Sequence, residues 1–181
     1  MIEGLAAHWP EIAVALASVA ACALVGGLLT DVGPWYESLN FPRLRPPNWL
    51  FGPAWSVIFL LIAAAGVVAW DAAGAADRRL MVWLFALNGV LNVLWSPLFF
   101  KLRRPDWALW ELAPFWLSVL ALAVVLFRIS SLAGWIFLPY LFWVSFAGWL
   151  NWRVVALNAP FSRSFGATPL PRKPINDNRS I

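Results

Sequence analysis

The sequence predicts an all-α membrane protein built as a bundle of five transmembrane helices. Three observations carry that expectation. Of the 181 residues, 62% are hydrophobic and only 12% charged, about half the charged share of a soluble domain. The charges also cluster, leaving stretches of about 20 residues almost free of them, the length a helix needs to cross a bilayer. Finally, these stretches are apolar on every side, whereas the strands of a membrane barrel alternate apolar and polar residues. Helices are the form in which each segment satisfies its own backbone polar groups in hydrocarbon.

Taken in order, the predicted spans cover about 12–30, 50–70, 80–100, 107–127 and 132–152. The first could be confused with an export signal, since Val19-Ala20-Ala21-Cys22 has the look of a lipoprotein cleavage box. Its preceding segment carries Glu3 and Glu11 but no Lys or Arg, and export signals begin with basic residues. It is therefore expected to be a retained helix. Between the first two spans lies WYESLNFPRLRPPNWLFGPAW (35–55), a proline-broken aromatic segment. Such a segment forms a stiff apolar surface beside a membrane, suited to cover a cavity. The remaining connections are short. Residues 1–157 are expected to form the transmembrane domain, and 158–181, rich in Pro, Ser, Asn and Arg without periodicity, a disordered tail.

Lys and Arg set the expected orientation. One side holds three of them (Arg78, Arg79 and Arg128), and the other holds the remaining ten, in the first loop, the third loop and the tail. The aromatic loop and C-terminus should face the cytoplasm and the N-terminus the outside. The formal charge of +4 follows from this topology and points to no nucleic acid. Cys22 is the single cysteine and His8 the single histidine, so neither an intramolecular disulfide nor a metal site is expected.

Few polar residues lie within the spans. Asn88 and Asn92 are four apart and share a helix face, which Ser96 extends. They read either as interhelical hydrogen bonding, worth about 0.6 kcal/mol per contact in membranes, or as a polar anchor for a ligand. Glu111 is the one acidic residue within a predicted span. An ionisable group at membrane depth points to function; the other reading places it at the interface near the basic third loop. Pro97, Pro114 and Pro139 interrupt three spans and can open space between helices. Of the 14 Trp, those at predicted edges (Trp35, Trp49, Trp107, Trp135 and Trp152) suit an interfacial belt. Trp55, Trp95 and Trp143 lie deeper, where indole faces suit a planar aromatic ligand.

The chain resembles the translocator protein family, also called tryptophan-rich sensory proteins or peripheral-type benzodiazepine receptors. The matching blocks are WYESLNFPRLRPPNWLFGPAW (35–55), ALNGVLNVLWSPLFF (86–100), WALWEL (107–112) and LPYLFWVSFAGWLNW (138–152). The resemblance implies a five-helix bundle, often a homodimer, in a membrane that for this chain is expected to be that of a bacterial cell envelope. It also implies a pocket beneath the first loop for porphyrin or haem, with sterol or benzodiazepine-like ligands as further classes. The matching pocket positions are Tyr36, Pro46, Trp55, Asn88, Asn92, Trp107, Trp143, Ala147 and Leu150. Within the loop, Tyr36, Pro46 and Trp55 are expected to look inward, and Arg43 and Arg45 to hold it at the headgroups. Phe41, Leu44, Trp110 and Pro114 depart from the family pattern, and the last two imply a cavity narrowed beside the fourth span.

The function expected is binding of a hydrophobic tetrapyrrole within the bundle, in a sensing, transport or regulatory role and with no cofactor beyond the porphyrin or haem ligand itself. The partners expected are membrane lipid and that small molecule. An alternative is light-dependent porphyrin breakdown, for which the resemblance implicates Trp55 and Trp143. A transporter is disfavoured, because five spans without an internal repeat lack the usual paired architecture.

Overall fold

Charge-free runs bounded by prolines and arginines fold into long helices that traverse the molecule in alternating directions. The computed structural model describes residues 9–161. Its elements are α1 (Trp9–Leu29), the short α2 (Pro34–Glu37), α3 (Asn48–Ala72), α4 (Ala75–Ser96), α5 (Pro105–Ile129) and α6 (Ser131–Asn158). All five long helices, with α4 continued to Lys101, are long and apolar enough to cross a membrane. His8 and the predicted tail from residue 162 onward lie outside the described residues.

The helices close into a ring in the order α1, α3, α6, α5, α4, each packed on the next and α4 returning to α1. The core fills the side of this ring held by α3, α5 and α6, where Ala65, Phe115, Val119, Leu122, Phe137 and Val144 are buried. Helix α1 differs, since none of its residues is buried. It meets α4 at Gly89, where a Cβ would lie 3.3 Å from the Cys22 sulfur.

Helix ends explain where the observed spans exceed those expected. Helix α4 starts at Ala75 rather than near residue 80, taking the charged residues 77–79 into its first turns. Arg78 donates from Nε to the Trp70 carbonyl (3.1 Å) and lies over the Trp70 ring, which closes the turn from α3. Asp77 pairs with Arg128 at the end of α5. Helix α6 is capped by Ser130, whose hydroxyl accepts from the Ala133 N–H, and runs from Ser131 through Pro139 to Asn158.

Proline shapes the opposite end. Pro97 has no N–H to continue α4, and the chain widens there into a single π turn, Pro97–Lys101. The Leu102 N–H then reaches the Pro97 carbonyl at 2.9 Å. The wider turn lets two consecutive aromatics, Phe99 and Phe100, both be buried. Tyr36 of α2 seats on them, with ring centroids 6.4 Å from Phe99 and 5.5 Å from Phe100.

The aromatic loop is fastened at its far end by one side chain. Asn158 accepts from the Asn40 N–H (2.8 Å) and donates to the Asn40 carbonyl (2.9 Å). Asn158→Ala removes both loop bonds, at about 1 kcal/mol each, together with the amide's bond to the Val154 carbonyl in its own helix. The expected outcome is roughly 30-fold faster amide exchange at Asn40, with exchange in α5 unchanged.

Candidate functional site

A cavity of about 970 Å³ lies between α1, α3 and α4. Its walls are apolar, with Val19, Ile62, Ala63, Val67 and Phe85 among them. It reaches the outer surface at Val14, Val82 and Val90, which are exposed. Volume and lining fall within the range of small-molecule sites, concave and apolar with a few placed polar groups.

Polar residues of the lining include Glu11 and Ser18 on α1, and Asn88, Asn92 and Tyr140 across from them; the last three side chains are linked. They form a directed chain of hydrogen bonds. Asn92 Nδ2 donates to Tyr140 Oη (3.2 Å), which donates to Asn88 Oδ1 (3.0 Å). Asn88 Nδ2 in turn donates to Ser118 Oγ (2.8 Å), and Ser118 donates to the Phe115 carbonyl (2.7 Å). One acceptor of this chain, Asn92 Oδ1, takes no hydrogen bond among the described residues. The asparagine stripe thus ties α4 to α5 and α6, as its interhelical reading expected, and still presents a free carbonyl oxygen on the cavity wall. Tyr140→Phe removes both hydroxyl bonds; at the membrane average it costs about 1 kcal/mol of stability, measurable as a lower thermal midpoint in detergent.

Behind this wall lies the tryptophan pair. Trp55 of α3 and Trp143 of α6 meet edge to face at 6.3 Å, and Trp55 also lies 6.3 Å from Tyr140. Trp55 stacks on Phe59 (5.3 Å, 30° between planes), and Phe59 lines the cavity. Phe51 flanks Trp143 at 5.9 Å. Phe59 and Tyr140 are therefore the partition between the open cavity and the indoles.

The other sequence-derived positions are dispersed. Tyr36 is buried in the aromatic cluster at the loop, where burial pushes its hydroxyl pKa up and the neighbouring Arg45 partly offsets that. Pro46 is half-buried in the loop, Ala147 half-buried on α6, and Leu150 buried. Trp107 sits at the start of α5 with the Arg104 guanidinium over its ring at 4.3 Å. Neither Tyr36 nor Trp107 makes a ring contact with Trp55 or Trp143 among the described residues.

Three expectations are corrected. The large cavity opens sideways between α1 and α4 rather than beneath the loop, because the loop aromatics pack down on Phe99 and Phe100. Arg45 is not extended away from the loop. Its guanidinium lies over the Phe41 ring (3.7 Å) and the Tyr36 ring (5.0 Å) and bonds Asn48, which folds it into the loop. Trp110 and Pro114 do not narrow a cavity: both are exposed, Trp110 at 82%, so they face outward from the bundle. Sequence reasoning also missed Tyr140 and Ser118, the partners that complete the asparagine chain. Tyr140 stands in the LPY block, directly after the helix proline, but its partner is set by a distant helix.

The five membrane-length helices agree with the family comparison. The model of the TspO/MBR family matches residues 13–157. The chain belongs to the TspO/MBR family. Its relatives include the protein CrtK of Rhodobacter capsulatus, 37% identical over 139 residues, covering 76% of this chain and 87% of that protein. The tryptophan-rich protein TspO of Archaeoglobus fulgidus is 35% identical over 151 residues, covering 82% and 97%. The translocator protein of Homo sapiens is 32% identical over 122 residues, covering 66% and 72%. Family membership makes the chain a multi-pass integral membrane protein.

Proposed function

We propose that this TspO/MBR protein binds a planar hydrophobic tetrapyrrole, porphyrin or haem, between its helices and serves in tetrapyrrole sensing, transport or regulation. The observation that carries the reading is the junction of a cavity of about 970 Å³ with the Trp55–Trp143 pair across Phe59 and Tyr140. A swing of the Phe59 ring joins cavity and indoles into one chamber. A ring entering from the bilayer through the gap between α1 and α4 then lies against the indole faces, where stacking is favourable. The free Asn92 Oδ1 takes a hydrogen bond from the ligand, and the Tyr140 hydroxyl holds that amide in place. The Lys and Arg bias supports an N-terminus outside and a C-terminus in the cytoplasm.

The test is quenching of tryptophan fluorescence by protoporphyrin IX in detergent, with Asn92→Leu as the variant. Saturable quenching that weakens about tenfold in the variant, the worth of one buried hydrogen bond, is expected. Non-saturable quenching equal in both proteins sinks the reading.

The contacts of Trp55 with Trp143 and with Tyr140 also support a second reading, photochemical breakdown of the bound porphyrin with an indole as electron donor to the excited ring and dioxygen as the oxidant. Illumination of the complex decides it. A new absorbing product forming faster than from free porphyrin supports an enzyme; equal rates leave binding alone.

A further inference from the structure

At the loop end of α6, basic residues from two distant parts of the chain meet in one hollow. The clasp between Asn158 and Asn40 fixes the junction and places the next loop residues beside the last turns of α6. On that helix Trp149, Arg153 and Leu157 follow at intervals of four and share one face. Together with Phe41, Arg43 and Leu44 of the loop they border a hollow of about 550 Å³. It shares no lining residue with the cavity between α1, α3 and α4.

The hollow is basic at its centre and apolar at its rim. Arg43 and Arg153 both border it, and no acidic residue does. Neither arginine belongs to an ion pair among the described residues, where the pairs are Arg104 with Asp106 and Arg128 with Asp77. The neighbouring Arg45 is spent on the rings of Phe41 and Tyr36, which leaves Arg43 as the loop's outward cation. Arg153 stands over the Trp152 ring at 5.7 Å. The rim is open, with Leu44 73%, Trp152 51% and Leu157 42% exposed.

Two guanidinium groups without a carboxylate call for an anion, and their planar forks match the oxygens of a phosphate. A soluble phosphate would leave the exposed Leu44, Trp152 and Leu157 unused, whereas a lipid covers them with its first methylenes. The depth also suits a headgroup. Arg153 lies five residues before the end of α6, about 8 Å along the axis, and the indoles of Trp149 and Trp152 beside it are the kind of ring that sits at headgroup level. The Lys and Arg bias assigns this end of the bundle to the cytoplasmic leaflet, whose anionic lipids attract basic groups at the membrane edge.

We propose that the hollow between Arg43 and Arg153 is a binding site for the headgroup of an anionic phospholipid. The two guanidinium groups hold the phosphate, and Leu44, Trp152 and Leu157 contact the upper part of the acyl chains. The bound lipid bridges the first loop to α6, beside the clasp of Asn40 and Asn158, and the site is independent of any ligand inside the bundle.

The test offers the full chain in mild detergent an equimolar mixture of phosphatidylglycerol and phosphatidylcholine with identical acyl chains, and counts the retained lipids by native mass spectrometry. The wild type should retain phosphatidylglycerol about 30-fold over phosphatidylcholine, each arginine providing about fivefold. Arg43→Gln and Arg153→Gln should each cut the preference about fivefold, and the double variant should abolish it. Arg43 is exposed, so its substitution tests the site without disturbing the core. The Arg79→Gln/Lys101→Gln variant removes the same charge elsewhere on the surface and should keep the wild-type preference. Equal retention of the two lipids by the wild type, or an equal loss in both double variants, overturns the assignment. Release of the phosphatidylglycerol by millimolar inorganic phosphate would overturn it as well, since the hollow would then be a site for a soluble anion.

Discussion

Protoporphyrin IX is expected to bind the Trp55→Ala/Trp143→Ala double variant roughly 5- to 150-fold more weakly than the wild type. An aromatic contact to a flat ligand contributes about 0.5–1.5 kcal/mol per ring beyond area burial, and 1.4 kcal/mol is a factor of ten. Two indoles in edge-to-face contact at 6.3 Å are direct neighbours, so their effects should couple. The size of the coupling is read from a double-mutant cycle by isothermal titration. Alanine also leaves a hole beside Phe51, Phe59 and Tyr140, and truncating a buried aromatic costs about 3–5 kcal/mol of stability. The Trp55→Phe/Trp143→Phe variant separates the two effects. It keeps flat faces, so it should lose less than tenfold in affinity while unfolding near the wild-type temperature. If the phenylalanine and alanine variants both bind like the wild type, the indoles are packing residues and nothing more.

Gly134→Ala should be the most damaging single substitution to the fold. Ordinarily alanine is favoured over glycine within a helix by about 1 kcal/mol. At position 134 of α6 the added Cβ would lie 2.3–2.6 Å from Cγ and both Cδ atoms of the Phe127 ring. Those atoms lie at the root of the ring rather than its far edge, and the ring is itself held edge to face against Trp135 at 5.5 Å. The clash must push α5 from α6 beside the turn that joins them. Overpacking of this kind costs about 1–3 kcal/mol or more, which outweighs the gain in helix propensity. Gly66→Ala is the control. There the new Cβ meets only the Phe85 ring at 3.7–3.8 Å, an ordinary contact, so stability should hold or rise. Thermal unfolding of both variants in one detergent gives the comparison directly, and a Gly134→Ala protein as stable as Gly66→Ala would show that the junction is loose.

The spans were legible because hydrocarbon imposes one simple rule, a charge-free run of sufficient length. Where they were misjudged, charged and polar ends were the reason. Asp77, Arg78 and Arg79 read as a loop, yet they form the first turns of α4 because their heads reach Trp70 and Arg128. Asn158 read as the first residue of a tail, yet it ends α6 by clasping Asn40. The asparagine stripe was legible from a spacing of four. Its partners Tyr140 and Ser118 were not, since 30 or more residues separate them from it and periodicity carries no information across helices. The sideways opening of the cavity was likewise invisible. It depends on α1 burying nothing, and α1 is as apolar in sequence as helices that pack tightly. Arg45 shows the remaining difficulty: a basic residue near a membrane edge suggests lipid headgroups, and here it is drawn onto the faces of Phe41 and Tyr36 instead.

A structure of the full chain in nanodiscs with protoporphyrin IX bound addresses the tetrapyrrole reading most directly. The expected result is ring density inside the bundle, within about 4 Å of the Trp55 and Trp143 indoles, with Asn92 Oδ1 at hydrogen-bond distance and Phe59 swung aside. Density confined to the outer flank of α1, or to the surface hollow between Arg43 and Arg153 beside the loop, with Trp55 still stacked on Phe59, would contradict it.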